Sequence, residues 1–164
     1  MDRHGLEPDT RVSIRAHTSD GIIEVVGWVL TVDTDGLRVR TRREDLSLRW
    51  NEVHSCRKIG VPRGTDPRRA NPAQLDKLAS LAGLKGQKFV ARLSQLLDGR
   101  SPVRGDCHPA VINGQWAIIG DESELWAAAW ASARADARSV LAVTNDPDRI
   151  TELLAAGFSP APHR

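Results

Sequence analysis

Residues 139–158 read SVLAVTNDPDRITELLAAGF, the stretch with the clearest structural pattern in this chain. Its first six residues, 139–144, are mostly apolar and predict a buried strand. Asp146 and Pro147 are residue types that cap and begin a helix, and Gly157 is a typical helix stop. One apolar face of this helix would comprise Ile150, Leu153 and Leu154. The stretch therefore predicts a strand followed by an amphipathic helix.

A second strand and helix are predicted directly upstream. Residues 115–119 have the apolar run of a short strand, and residues 121–137 predict a helix whose first turn is rich in carboxylates. The apolar face of this helix would comprise Leu125, Trp126, Ala129, Trp130 and Ala133. The order strand, helix, strand favours parallel pairing of the two strands, with the helix as their crossover.

Two more helices are expected earlier in this half of the chain. Asn71 and Pro72 favour a helix start, and Gly83 favours its end. Residues 87–97 predict another helix, which Gly99 would follow as a stop. Its buried stripe would comprise Phe89, Leu93, Leu96 and Leu97.

The first thirty-six residues have the alternation and turns of a β-sheet. Apolar and polar side chains alternate at 11–17, and the apolar run at 22–32 is long enough for a bent strand. Gly27 is the expected bulge or bend in that strand. Residues 33–36 have the composition of a hairpin loop, so a third strand should begin directly after them.

Three further strands complete the pattern. Leu37 and Val39 should face opposite to their arginine neighbours, and residues 46–50 repeat the alternation. A tight turn at 51–53 would lead to a last strand at 55–61. Five short strands with a tight turn before the last one resemble an SH3-like barrel.

These patterns predict an α+β chain with two domains. Residues 1–62 form the SH3-like small β-barrel, and residues 72–164 form a helical and α/β domain. Residues 63–71 are basic and proline-rich, and we expect them to be a linker too polar to pack as an element.

Positive charge is concentrated in the middle of the chain, although the net charge of 164 residues is only +2. Between Arg38 and Arg69 there are ten basic residues and four acidic ones. Such a patch could attract phosphate or an acidic partner, or it could be a solvated strand face followed by a basic linker. The candidate binding residues are Arg38, Arg40, Arg42, Arg43 and Arg49.

Composition excludes several functional classes. A hydrophobic content of 40% with 27% charged residues is typical of a globular protein, and no apolar run is long enough to span a bilayer. With a polar N-terminus, this predicts a cytoplasmic protein without membrane association. Cys56 and Cys107 have no paired spacing and the five histidines are scattered, so neither a disulfide nor a metal site is predicted.

Three stretches carry a resemblance to a known family. They are residues 27–30 with the Asp-Gly hairpin after them, residues 50–53 (WNEV), and residues 142–158. These resemble bacterial acetyltransferase-like proteins in which an SH3-like barrel precedes a GNAT N-acetyltransferase domain. The resemblance implies acetyl-CoA as the cofactor, entering a gap between the strands at 115–119 and 139–144. It makes residues 72–164 a partial GNAT-like domain.

The chain departs from the GNAT pattern where the chemistry should be. The family holds the CoA pyrophosphate on backbone amides at a helix start, but Asp121, Glu122 and Glu124 would place three carboxylates there. Leu153 stands at the position of the tyrosine that commonly protonates the leaving thiolate, and the chain contains no tyrosine. The remaining candidates for a general acid, none at the expected position, are Cys107, His108 and Ser123. We therefore expect an incomplete acyl-CoA site and assign no catalytic residue.

Three hypotheses follow. The first is an acetyltransferase-like protein that acts by binding, with a homodimer mate or protein partner covering a sheet edge, because no full final strand is expected after Phe158. The second is a small-barrel nucleic-acid or protein-binding module that uses the basic strand face. In it, Trp28 or Trp50 would stack on bases if the rings were exposed. The third is an active N-acetyltransferase with an unusual cofactor loop.

Overall fold

Two five-stranded sheets and four α-helices make up the described part of the chain, residues 5–103 and 109–162 of this computed structural model. The chain divides into two compact units, Met1–Gly60 and Val61–Arg164. Each unit contains one of the sheets, and the fold is of the mixed α+β class. In the described ranges, no helix has the length and apolar character needed to cross a membrane.

The first unit is an antiparallel meander. Its strands are β1 (Arg11–Thr18), β2 (Gly21–Val32), β3 (Gly36–Arg40), β4 (Asp45–Arg49) and β5 (Val53–Lys58). They lie in the order β4-β3-β2-β1-β5, and a 3-10 turn, Trp50–Glu52, joins β4 to β5. Because β4 and β5 are the two edges of this order, the described strands form an open sheet and not a closed barrel.

Strand alternation places the core of the first unit as the sequence predicts. Val12, Ile14 and Ala16 of β1 are buried, and so are Leu37 and Val39 of β3. The predicted loop at 33–36 is also confirmed. Its Asp33 carboxylate accepts hydrogen bonds from the amides of residues 35 and 36 at 2.8 and 2.9 Å.

Of the bulge or bend predicted at Gly27, the bulge is wrong. The register between β2 and β3 shifts between Val29 and Thr31, two residues later. Gly27 serves a different need, because a Cβ built there would lie 2.2 Å from the carbonyl oxygen of Arg40. A glycine thus permits close approach of β3 and does not mark the irregularity. The last strand also begins earlier than predicted, at Val53.

The second unit is built on a mixed sheet. Its strands are β6 (Gln87–Arg92), β7 (Val111–Asn113), β8 (Trp116–Ile119), β9 (Ser139–Thr144) and β10 (Ser159–Pro160), in the order β10-β6-β9-β8-β7. Its helices are α1 (Pro72–Leu81), α2 (Leu93–Leu96), α3 (Leu125–Arg134) and α4 (Pro147–Ala156). The parallel pairing predicted for the strands before and after α3 is confirmed, and the other pairings are antiparallel.

The helix predicted at 87–97 is wrong for most of its length. Residues Gln87–Arg92 form β6, which pairs with all six residues of β9, and only Leu93–Leu96 are helical. The apolar spacing at 89, 93, 96 and 97 matches a helix, but the pairing with β9 overrides it. Phe89, Val90 and Ala91 are consecutive buried residues, as in a strand covered on both faces.

Both faces of the central strand β9 are covered, and all six of its residues are buried. On one face, Leu75 and Leu78 of α1 pack in a cluster that includes Ile118 and Leu141. The α1 helix begins where predicted, because the Asn71 side chain accepts a hydrogen bond from the amide of residue 73 at 2.9 Å.

Helices α3 and α4 differ in detail from prediction. The start of α3 is at Leu125, four residues after the predicted start. In α4, the cap at Asp146 and the left-handed Gly157 are as predicted, but Leu154 is 47% exposed and Arg149 is buried in its place. Strand β10, formed by the two residues after Phe158, pairs with β6 as a short edge strand, where no full final strand was expected.

The predicted linker contains regular structure. Pro67–Arg69 form a 3-10 turn, capped by the Asp66 side chain, and Pro67 is buried. The segment lies against β6 and belongs to the second unit. The expectation that it is too polar to pack as an element is therefore wrong, because its arginines stay exposed while the proline ring is covered.

Candidate functional site

Three of the predicted arginines lie on one exposed face of the first unit. In the β3–β4 pair, residue 38 is opposite Ser47, residue 40 is opposite Asp45 and residue 36 is opposite Arg49. Side chains two apart on a strand share a face, so Arg38, Arg40 and Arg49 project from the same side of the sheet. The side chains of Arg38 and Arg40 are 54% and 56% exposed.

One carboxylate reduces the charge of this group. Asp45 lies 3.8 Å from both Arg38 and Arg40, too far for a tight pair. Arg42 and Arg43 are exposed at the tip of the β3–β4 hairpin, where the Thr41 hydroxyl accepts hydrogen bonds from the amides of residues 43 and 44. The five arginines, Arg38, Arg40, Arg42, Arg43 and Arg49, are called the basic face below.

Neither tryptophan of the first unit offers an exposed ring to this face. Trp28 of β2 lies opposite Arg40 of β3, yet its side chain is only 5% exposed. Trp50 is 6% exposed, and its indole nitrogen donates to the carbonyl of Asp33 at 2.9 Å. The condition for base stacking on these rings is therefore not met, and ionic contact is what the basic face can provide.

In the second unit, the two strands expected to flank a cofactor gap are paired. Trp116–Ile119 of β8 pair in register with residues 139–142 of β9, so these positions hold no gap. After β8, the carbonyl of Gly120 accepts a hydrogen bond from the buried Arg149 at 3.0 Å. Arg149 also donates to Glu152 at 2.7 Å, which leaves its guanidinium tied to α4 and to the end of β8.

The amides at the start of α3 are occupied by the chain itself. The carboxylate of Glu124 accepts hydrogen bonds from the amides of Trp126 at 3.2 Å and Ala127 at 2.6 Å. These are the donors that an anion at a helix N-terminus would use. Asp121 and Glu122 precede the helix and are exposed. Of the three predicted carboxylates, Glu124 therefore caps the helix, and the other two lie exposed in front of it.

The second unit also contains a cleft that sequence reasoning did not find. It lies at the end of the sheet where β6 finishes and β8 begins, and its arginines are Arg63, Arg68, Arg69 and Arg92. Three of these belong to the predicted linker, and the fourth was assigned to a helix interior. A signal was present in the density of arginines at 63–69, but only the sheet register shows that Arg92 joins them.

Other predicted groups give no site. Cys107 and His108 lie outside the described residues, and within those ranges no three His, Cys, Asp or Glu side chains converge as metal ligands. Burial raises the pKa of the Cys56 thiol, so this half-buried cysteine packs as a small apolar residue.

Comparison of the chain with protein-family models, with curated proteins and with solved structures gave no match.

Proposed function

We propose that this chain is an acetyltransferase-like protein, with an SH3-like first unit and a GNAT-like second unit, that acts by binding and not by acyl transfer. The observation that carries the proposal is the cap of α3. Glu124 holds the two amides that a pyrophosphate would need, and its negative charge opposes an anion at that position. An acyl-CoA would have to displace the Glu124 carboxylate, which is part of the chain itself.

The pairing of β8 with β9 supports the same proposal. An acyl-CoA that entered between these strands would need their backbone groups, and those groups are used in the ladder over four residue pairs. Leu153, at the position of the expected tyrosine, is fully buried in α4 and offers no proton. The pairing of β8 with β9 and the burial of Leu153 are both accounted for by packing within the second unit.

A second candidate function is contact with a polyanion through the basic face. What favours it is the position of Arg38, Arg40 and Arg49 on one exposed side of the sheet, with a single aspartate among them. Nucleic-acid phosphates or an acidic protein segment would both be attracted. Since no exposed ring of Trp28 or Trp50 accompanies these arginines, such contact would have little sequence preference.

One experiment separates these functions. Thermal unfolding of the full chain is measured with acetyl-CoA, and binding to a labelled single-stranded oligonucleotide is measured at several salt concentrations. We expect acetyl-CoA to raise the unfolding temperature no more than pyrophosphate does, because no site for the acyl-CoA is formed at the start of α3. If the basic face binds phosphates, Arg38→Ala/Arg40→Ala should weaken oligonucleotide binding and reduce the salt slope by about two.

The matched control is Arg15→Ala. Arg15 is also 54% exposed and has a carboxylate, Glu24, at 3.6 Å. It lies on β1, two strands away from β3 on the same side of the sheet, and does not belong to the basic face. It should change oligonucleotide binding much less than the single substitution Arg38→Ala, which is measured beside the double variant. Stabilisation by acetyl-CoA beyond that given by pyrophosphate would contradict the binding-only proposal, and equal effects of Arg15→Ala and Arg38→Ala would contradict the role of the basic face.

A further inference from the structure

A row of three side chains crosses the second sheet, and the two at its ends, Arg92 and Trp116, line the cleft. Arg92 at the end of β6 is opposite Ser139, and Ser139 is opposite Trp116 at the start of β8. The pairs two residues away include Val90, Leu141 and Ile118, which pack against α1. Arg92 and Trp116 are therefore on the α1 side of the sheet, just beyond its apolar cluster.

The remaining walls are polar and come from sequence-distant segments. They are the segment from Arg63 to Asn71, Gln74 of α1, Gln95 of α2, and the turn between β7 and β8. The cleft has a volume of about 930 Å³, near the upper end of the roughly 300–1,000 Å³ typical of small-molecule sites. Inorganic phosphate alone would leave most of this volume to water.

Charge in the cleft is strongly one-sided. Four arginines line it, against one carboxylate, Asp66. Arg68 donates to both oxygens of Asp66, at 3.2 and 3.0 Å, so these two groups neutralise each other. Within the described ranges, Arg63, Arg69 and Arg92 form no ion pair. Three guanidinium groups thus remain available to an anion.

Arg92 is the unusual member of the group. It is only 8% exposed, and its Nε has no hydrogen-bond partner among the described residues. A buried donor without a partner is costly, and it is rare in folded proteins unless a ligand, ion or water completes it. The planar guanidinium matches phosphate oxygens, which it can bind through two parallel hydrogen bonds.

We propose that this cleft binds a small molecule through a diphosphate group. Arg92 forms the floor of the site, and Arg63 and Arg69 close over the phosphates from the 63–71 segment. The amide side chains of Gln74 and Gln95 supply neutral hydrogen bonds to the rest of the ligand. This site differs from the basic face of the first unit and from the capped start of α3.

The test is calorimetric titration of the full chain with pyrophosphate. Wild type should bind, and Arg63→Ala/Arg69→Ala should weaken the affinity roughly a hundredfold, because each of the two lost charged hydrogen bonds is worth about tenfold. Both side chains are exposed, so this variant should fold. Arg92→Gln, checked by circular dichroism, should also lose pyrophosphate binding.

Lys77→Ala is the matched control. Lys77 is an exposed cation on α1 of the same unit, and it does not line the cleft. It should change the affinity less than twofold, as expected for a distant surface charge. Failure of wild type to bind pyrophosphate would overturn the proposal. Equal losses of affinity in Lys77→Ala and Arg63→Ala/Arg69→Ala would also overturn it. A third contrary result would be an oligonucleotide that binds at these arginines and is not displaced by pyrophosphate.

Discussion

Asp66 is the carboxylate that lies among the arginines of the cleft, and its titration is set by them. Hydrogen bonds from the side chain and the amide of Arg68, with a smaller contribution from the charge of Arg92, lower the pKa of Asp66 from 3.8 to about 2. A lowered pKa means that folding favours the ionised form. The stabilisation is therefore complete above about pH 4 and is lost as the pH falls through about 2.

We expect Asp66→Asn to be less stable than wild type at neutral pH, with the difference shrinking between pH 4 and pH 2. Urea unfolding followed by tryptophan fluorescence over this range would measure it. The control is Asp121→Asn, which changes an exposed carboxylate of the same unit. A wild-type to Asp66→Asn difference that stays constant down to pH 2 would contradict the assigned ion pair.

At the scale of one element, α3 depends on the carboxylate that caps it. Glu124 accepts hydrogen bonds from two amides, and a lost N-cap costs about 1 kcal/mol. Glu124→Ala should therefore lower the free energy of unfolding by about 1 kcal/mol, measured by urea unfolding. Glu122→Ala, which removes a carboxylate outside the helix, should have a much smaller effect. Equal losses in the two variants would mean that general charge, and not the cap, is responsible.

Elements were predictable from sequence where the pattern had one interpretation. The Asn71 and Asp146 caps, the Asp33 loop and the parallel strands around α3 needed only local chemistry and the crossover rule. The segment at 87–92 has apolar residues that fit both a helix and a strand covered on two faces. Its strand conformation depends on pairing with β9, fifty residues later, which no local pattern encodes.

At the scale of the molecule, the two arginine groups differ in how they arise. The basic face alternates along one hairpin, so Arg38 and Arg40 could be placed on the outside from their spacing alone. The cleft combines residues from three separate stretches of sequence, and Arg92 enters it only because of the β6–β9 register. Sequence periodicity therefore finds surfaces made by one element and misses sites made by the packing of several.

The same architecture predicts where the second unit opens most easily. Strand β9 has a hydrogen-bonded neighbour on each side and six buried residues. By contrast, β7 (Val111–Asn113) has β8 as its one partner among the described strands, and none of its three residues is buried. Amides at an exposed edge exchange through local opening, while those of a central strand need a larger unfolding event. We expect β9 amides to exchange roughly a hundredfold or more slowly than β7 amides, after correction for intrinsic rates, which corresponds to about 2.7 kcal/mol.

Hydrogen exchange followed by mass spectrometry or NMR would measure this difference. The first unit provides an internal comparison, because the central β2 should likewise be better protected than the edge strand β4. Protection of β7 equal to that of β9 would contradict the sheet order. If pyrophosphate then slowed exchange at Arg92 and in the 63–71 segment but not in β3, the ligand would be bound to the cleft of the second unit, because only amides whose opening the ligand opposes gain protection.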